Sequence, residues 1–157
     1  MSQVVSIAYT PDGIDPEPAD HYARVPLAEA RLVVGHGIEG DCKGGGRKRQ
    51  LNVMAAETLR RLRDEGFKTA PGEMGEQLVV SGVEVERLAP GDCLRLGAEA
   101  TIEITSVREP CTRFAHIQAC PVAAGEGRIG VMARVVVGGA IRVGDPVTLL
   151  RGAGVSG

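Results

Sequence analysis

Thr101-Ile102-Glu103-Ile104-Thr105-Ser106-Val107-Arg108-Glu109-Pro110-Cys111-Thr112-Arg113 is the stretch on which the architecture and the chemistry of this chain both turn. Between Thr101 and Val107 apolar side chains recur at every second residue, the period of a strand with one face buried and the other wet. Pro110 has a fixed φ and no N–H, and it biases Glu109 toward extended geometry. The strand is therefore expected to end here, with Cys111 on its exit loop. Loops at strand ends commonly carry function. Cys111 also lies between the guanidinium groups of Arg108 and Arg113 in sequence. A free thiol titrates near ~8.5, so only a few per cent is thiolate at neutral pH, and nearby cations raise that fraction.

The rest of the chain repeats the strand pattern. Its 22 glycines and nine prolines punctuate short runs of Val, Ile and Leu, which favours brief strands joined by tight turns over a helical bundle. Strands are expected over Val4–Tyr9, Leu27–Val34, Gln50–Val53, Gln77–Val80, Cys93–Leu96, Thr101–Val107, Val131–Val137 and Val147–Leu150. One main helix is expected from about Met54 to Asp64, where Met54, Ala55, Leu59 and Leu62 recur at helical spacing before Gly66. Its arginines, Arg60, Arg61 and Arg63, read as a solvated face. Ala89-Pro90-Gly91-Asp92-Cys93-Leu94-Arg95-Leu96 and Arg142-Val143-Gly144-Asp145-Pro146-Val147-Thr148-Leu149 share one design, a Gly-Asp turn feeding a strand. Asp bonds to the backbone of such a turn and Gly tolerates positive φ, giving the sharp corners of small barrels. The class is thus mostly β. A single domain is expected over residues 1–150. Residues 11–26 read as an acidic, proline-rich surface loop with no chemistry assigned, and residues 151–157 as a disordered tail.

A chain of 157 residues with 43% hydrophobic content is of ordinary globular type and needs no disulfide or metal staple. A formal charge of −2 supplies no global field for nucleic acid or anionic lipid, and 3% aromatic residues leave few rings for stacking bases. No apolar run approaches the ~18 residues of a membrane span. The four cysteines form no CxxC pair and the start Met-Ser-Gln-Val-Val lacks a signal-peptide pattern, so a cytoplasmic protein without nucleic-acid or membrane partners is expected.

The densest positive patch is Lys43-Gly44-Gly45-Gly46-Arg47-Lys48-Arg49, preceded by Gly40-Asp41-Cys42. Glycines let backbone N–H groups approach an anion and Lys or Arg supplies charge, so the segment is either a phosphate-type anion site or a flexible charged hairpin loop. P-loop and dinucleotide spacings are both absent. Cys42 reads as either an assisting thiol or a small buried residue, and Cys93 as a core residue. Cys120 is a candidate to resolve a persulfide or disulfide at Cys111. Glu76, in the turn Gly72-Glu73-Met74-Gly75-Glu76, is placed to accept a hydrogen bond from a ligand or to pair with an arginine.

Taken in order, Gly37-Ile38-Glu39-Gly40-Asp41, Arg49-Gln50-Leu51-Asn52-Val53, Gly72-Glu73-Met74-Gly75-Glu76-Gln77-Leu78, Gly91-Asp92, Pro110-Cys111 and Val143-Gly144-Asp145-Pro146 resemble the landmarks of the MOSC domain. That module occurs at the C-terminal end of molybdenum cofactor sulfurases and as stand-alone bacterial proteins. The resemblance implies a closed β-barrel with one main helix and short helical turns. It also implies that Cys111 matches the family's characteristic cysteine, which carries sulfane sulfur as a persulfide or ligates molybdenum. Arg108, Arg113, Lys43, Arg47, Lys48 and Arg49, with Asp41 and Glu76, would then surround the thiolate or bind a pterin phosphate. Many members have a histidine after the Gly-Asp pair and an asparagine after the Gly-x-x-Gly-Glu turn. This chain has Cys42-Lys43 and Gln77 there, so roles tied to those residues do not transfer.

The leading expectation is a sulfur carrier. Cys111 would accept sulfur from a separate pyridoxal-phosphate-dependent cysteine desulfurase and pass it to a metal-cofactor or biosynthetic acceptor, with no tightly bound cofactor of its own. The alternatives are a molybdenum-cofactor-binding oxidoreductase with Cys111 as metal ligand, and a non-catalytic barrel that binds an anion or a protein.

Overall fold

In the computed structural model, which describes residues 1–151, the short apolar runs form strands β1 (Gln3–Tyr9), β2 (Val25–Leu27), β3 (Glu29–Val33), β4 (Gly37–Ile38), β5 (Leu51–Ala55), β6 (Leu78–Ser81), β7 (Cys93–Leu96), β8 (Ala100–Val107), β9 (Val131–Val137), β10 (Gly139–Arg142) and β11 (Val147–Leu150). Helix α1 spans Ala56–Asp64 and α2 spans Thr112–Gln118, with 3-10 turns at Val85–Arg87 and Val122–Gly125. Beyond residue 151, the expected tail lies outside the described residues. No helix among the described residues is long and apolar enough to cross a membrane.

Two expectations are corrected, and two short strands are added. The strand expected over Leu27–Val34 is two strands, broken at Ala28, which pair with different neighbours: β2 with β1 and β3 with β10. β4 has only two residues, and β10 opens on the small residues Gly139 and Ala140 in place of a bulky apolar run. The single main helix has a second beside it: α2 begins directly after Cys111 and buries Phe114, Ile117 and Gln118. Seven residues provide too few repeats for helical periodicity to show.

Strand β8 lies between β7 and β9, antiparallel to both, and its Ile102 and Ile104 are buried as the alternation requires. Its ladder with β9 shifts register between Ile104 and Ser106, and Val107 is 48% exposed. A bulge twists a strand and re-aims the side chains beyond it. Arg108, the next residue, turns inward to 6% exposure.

The ladders form an eight-stranded sheet in the order β11-β7-β8-β9-β5-β6-β1-β2 and a three-stranded sheet β10-β3-β4. The fold is mostly β with two helices, and the strands do not run round as one unbroken closed ladder. The β11 end of the large sheet does approach β1, the strand next to its other end. Val4 N donates to Asp145 O at 2.8 Å, Gly144 N to Val4 O at 2.7 Å and Val147 N to Ser2 O at 3.0 Å. Pro146, which has no N–H, forms an isolated bridge with Gln3, and its carbonyl accepts from Gly97 N at 2.8 Å.

Both Gly-Asp turns are built as their sequence predicts. Asp92 Oδ2 accepts from Ala89 N at 2.9 Å and Asp145 Oδ2 accepts from Arg142 N at 2.8 Å. The strands after these turns, β7 and β11, pair with each other from Cys93↔Leu150 to Leu96↔Val147. One apolar core fills the space between the sheets, with Leu32, Ile38, Leu51, Leu78, Leu94 and Ile102 among its fully buried members. A second core lies under the helices, where Leu59 and Leu62 of α1 and Phe114 of α2 meet Met54, Met74 and Val79. Phe114 is fully buried, which anchors α2 and thereby holds Cys111 beside the large sheet.

Candidate functional site

Cys111 is exposed at the start of α2, on the wall of a cleft of about 210 Å³. Four segments far apart in sequence line this cleft. The loop before β2 contributes Pro16, Glu17, Tyr22, Ala23 and Arg24. The glycine-rich loop contributes Lys43 and Arg49. β5, directly after that loop, adds Asn52 to the same segment; the β8 exit with α2 adds Arg108, Glu109, Arg113 and Phe114, and β9 adds Met132. The basic loop and the thiol therefore share one cleft. A second space of about 230 Å³ extends from it, lined by Arg24, Lys43, Arg49, Leu51, Asn52, Gln77 and Met132, with no cysteine.

Arg108 is the most constrained of the cations. Its guanidinium lies 5.9 Å from the Tyr22 ring centroid and 5.8 Å from that of Phe114, within cation–π range. Its Nη1 is buried and has no hydrogen-bond partner among the described residues. Burial pushes its pKa down from the ordinary arginine value, while Tyr22, Glu76 and Cys111 pull it back up. A buried charged donor without an acceptor costs free energy, so this atom favours an anion in the cleft. Gly75 makes room for the group. At φ +85° a Cβ there would come within 2.8 Å of Arg108 Nη2 and 2.9 Å of the Tyr22 ring.

Arg24 is the residue that sequence reasoning missed. It donates from Nη1 to Thr10 Oγ1 at 2.6 Å and from Nη2 to Gly75 O at 3.0 Å, and its buried Nε is unpartnered among the described residues. Burial lowers its pKa as well, opposed by Asp41. No motif marks Arg24, which lies in the acidic loop to which no chemistry was assigned. Tyr22 and Asn52 were likewise outside the expected set, although Asn52 falls within a quoted landmark.

The expected residues separate into two groups. Cys111, Arg108, Arg113, Lys43 and Arg49 line the cleft. Within that group, Arg113 is engaged elsewhere: Nη1 donates to Pro18 O at 2.6 Å and Nη2 to His21 O at 3.1 Å. Lys43 Nζ is 2.6 Å from Glu17 Oε1. Arg47 and Lys48 are exposed and do not line it. Asp41 is buried, its Oδ1 accepting from Thr10 N at 3.1 Å and Lys43 N at 3.0 Å, its Oδ2 from Gln77 Nε2 at 3.2 Å. Glu76 is also buried and closes its own turn, accepting from Gly72 N at 2.8 Å and Met74 N at 3.1 Å. Burial raises the Glu76 pKa, and those backbone bonds hold it back. Neither carboxylate is among the residues that line the cleft.

Cys42 is exposed rather than buried, and Cys93 and Cys120 are half-buried, Cys120 against the core under the helices. Among the described residues, no group of three or more His, Cys, Asp or Glu is placed to hold a metal ion. A larger cavity of about 510 Å³, lined by Glu57, Thr58, Arg61, Glu86 and Arg128 among others, contains no cysteine, so volume alone does not select the site.

A family model described as the MOSC domain matches residues 41–148. The crystal structure of YiiM from Geobacillus stearothermophilus has a TM-score of 0.73 and 23% identity, covering 96% of this chain and 75% of that one. APC1665, the YUAD protein of Bacillus subtilis, has a TM-score of 0.76 and 17% identity, covering 96% of this chain and 97% of that one. YiiM from Escherichia coli has a TM-score of 0.67 and 23% identity, covering 96% and 70%. At these identities the likeness shows the fold. A curated protein named "Reductase" from Gibberella moniliformis is 34% identical over 83 residues, which are 50% of this chain and 15% of that protein. With the family model matching from the Gly-Asp pair at Asp41 to β11, and with the fold shared along nearly its whole length, the chain belongs to the MOSC domain family.

Proposed function

We propose that the cleft binds an anionic molybdenum cofactor, with Cys111 as the protein's ligand to the metal, and that the protein is an oxidoreductase. The observation that carries this reading is the buried, unpartnered Arg108 guanidinium nitrogen in the same cleft as an exposed thiol. The cation set extends beyond the sulfur: Arg24, Lys43 and Arg49 also line the adjoining space, which has no cysteine. That extent suits a phosphate-bearing ligand better than a single sulfur atom. Because the chain gathers no multi-residue metal cluster among the described residues, a metal at Cys111 has to bring its other ligands with it, as a pterin-dithiolene cofactor does. The reductase relative points toward the same reaction class.

In this reading each side chain has a defined task. Cys111 supplies a thiolate. Lys43 and Arg49 hold phosphate at the rim, and Arg24 holds it from the floor. Arg108 donates an N–H to negative charge near the sulfur, and the rings of Tyr22 and Phe114 fix its plane. Bound there, the cofactor would supply electron transfer to or from a substrate, with a separate redox protein or domain as the donor or acceptor of those electrons. The test is metal and pterin analysis of protein made in a cofactor-producing host. Wild type should retain both, and Cys111→Ala should retain less of metal and pterin together. Absence of molybdenum and pterin under conditions that load a known binder overturns the reading.

A second reading is favoured by the exposure of Cys111. A thiolate that a partner can reach is able to attack the sulfane sulfur of a desulfurase persulfide. The Cys111–S bond forms as the donor's S–S bond breaks, and the donor cysteine leaves as a thiolate, so no external oxidant is needed. Mass spectrometry after incubation with a desulfurase, pyridoxal phosphate and cysteine decides this. A one-sulfur mass gain that disappears in Cys111→Ala supports carriage.

A further inference from the structure

The acidic loop of residues 11–26 folds against the cleft. Pro16 and Glu17 line it, and Arg113 holds the loop there through the carbonyls of Pro18 and His21. Glu17 is itself positioned by a turn in which its N–H donates to Asp15 Oδ1 at 3.0 Å. Its carboxylate then meets the Lys43 ammonium at 2.6 Å, and that hydrogen bond, with the lysine's charge, holds the Glu17 carboxyl below the ordinary glutamate value. Lys43 is the rim cation of the anion site, and the protein's own carboxylate already occupies it.

We infer that Glu17 is a further determinant of this site: an internal anion that competes with the ligand for Lys43 and so sets the affinity of the cleft for phosphate-type groups. The inference rests on the anion-site reading of the cleft. The pair is suited to exchange. The Glu17 side chain is 65% exposed and Lys43 28% exposed, so solvent screens their attraction and water readily receives the displaced carboxylate. Arg24, Arg49 and Arg108 remain in the cleft to hold an incoming anion, and Arg113 keeps the loop in place through backbone carbonyls that the exchange does not touch. A displaced Glu17 therefore leaves the loop attached. Glu109 also lines the cleft but makes no side-chain hydrogen bond or ion pair with Lys43 among the described residues, which makes it the natural control for the general effect of removing a negative charge.

The experiment is calorimetric titration of the full chain with inorganic phosphate at low ionic strength, using wild type, Glu17→Gln, Glu109→Gln, Lys43→Met and the Glu17→Gln/Lys43→Met double variant. Competition from an exposed ion pair predicts that Glu17→Gln binds phosphate about twofold to fivefold more tightly than wild type. Glu109→Gln should gain less than about twofold, the part owed to the field alone. In the Lys43→Met background the Glu17→Gln gain should vanish, because no ammonium remains to compete for. The inference is overturned if Glu17→Gln matches wild type or Glu109→Gln, or if its gain survives in Lys43→Met. If neither wild type nor Glu17→Gln binds phosphate, the anion-site reading fails and this inference with it, an outcome distinct from wild-type binding that Glu17→Gln leaves unchanged.

Discussion

Asp41 and Arg108 are both buried charged residues beside the same cleft, and they differ in how their polar atoms are satisfied. Both Asp41 oxygens are engaged, tying Thr10, Lys43 and Gln77 together across three segments. Gln77 continues the network by accepting from Asn52 N at 2.8 Å, and Asn52 donates to Gly75 O at 3.1 Å. Arg108 has two aromatic rings against it and a buried nitrogen with no acceptor among the described residues. A satisfied buried group holds a fold in place, whereas an unsatisfied one gives up stability for readiness toward a ligand. The contrast separates framework from site more sharply than residue type does, since both were expected in the site.

This contrast can be broken by substitution. The largest effect is expected from Cys111→Ala, which should sharply lower retention of molybdenum and pterin together yet change the urea unfolding midpoint little, because the thiol is exposed and supports no packing. Asp41→Ala should unfold at markedly lower urea, with a loss of about 3 kcal/mol, because three donors lose their acceptor at once. Glu76→Gln should cost about 1–2 kcal/mol, since an amide oxygen accepts at only one of the two sites that the carboxyl serves.

The Glu76 effect has a pH signature. Its native pKa is raised, so the native state binds the proton more readily than the unfolded chain does. The margin of wild type over Glu76→Gln should therefore be largest below the unfolded glutamate value of about 4.3 and shrink as pH rises through the native pKa. A margin that grows with pH would show that the turn bonds dominate over burial.

Arg108→Met should go the other way from Asp41→Ala. Removing a buried guanidinium that lacks an acceptor is expected to leave stability unchanged or to raise it by about 1 kcal/mol, while phosphate affinity falls. Marked destabilisation would mean that the two ring contacts are structural, and the contrast with Asp41 would collapse. The smallest effects belong to Arg47→Ala and Lys48→Ala, which should stay within about 0.5 kcal/mol, with phosphate affinity within about twofold, because both side chains are exposed and outside the cleft.

Legibility in the sequence tracks the range of the interactions. β7, β9 and β11 have the expected bounds, because a branched apolar run between glycine-marked turns is a local signal. α2 was not legible, because its formation depends on burying Phe114 in a core supplied by α1 and β6. The same holds within the site. Cys111 was marked by the proline before it and the arginines around it. Arg24 and Glu17 were not marked, because only a folded loop brings them to Lys43 and Arg108.

By itself the sequence determined a mostly β chain, its Gly-Asp corners and the cysteine at the end of β8, since strand period, turn chemistry and the restrictions of proline act over a few residues. Only the tertiary structure decided which charges are already engaged and which are open to a ligand. Asp41 and Glu76 became scaffold, and Arg113 became a tie for the acidic loop. Arg108 alone among the expected cations was left buried with an unpartnered nitrogen among the described residues. Hydrogen-bond satisfaction and desolvation depend on atoms contributed from distant segments, and no local pattern encodes them.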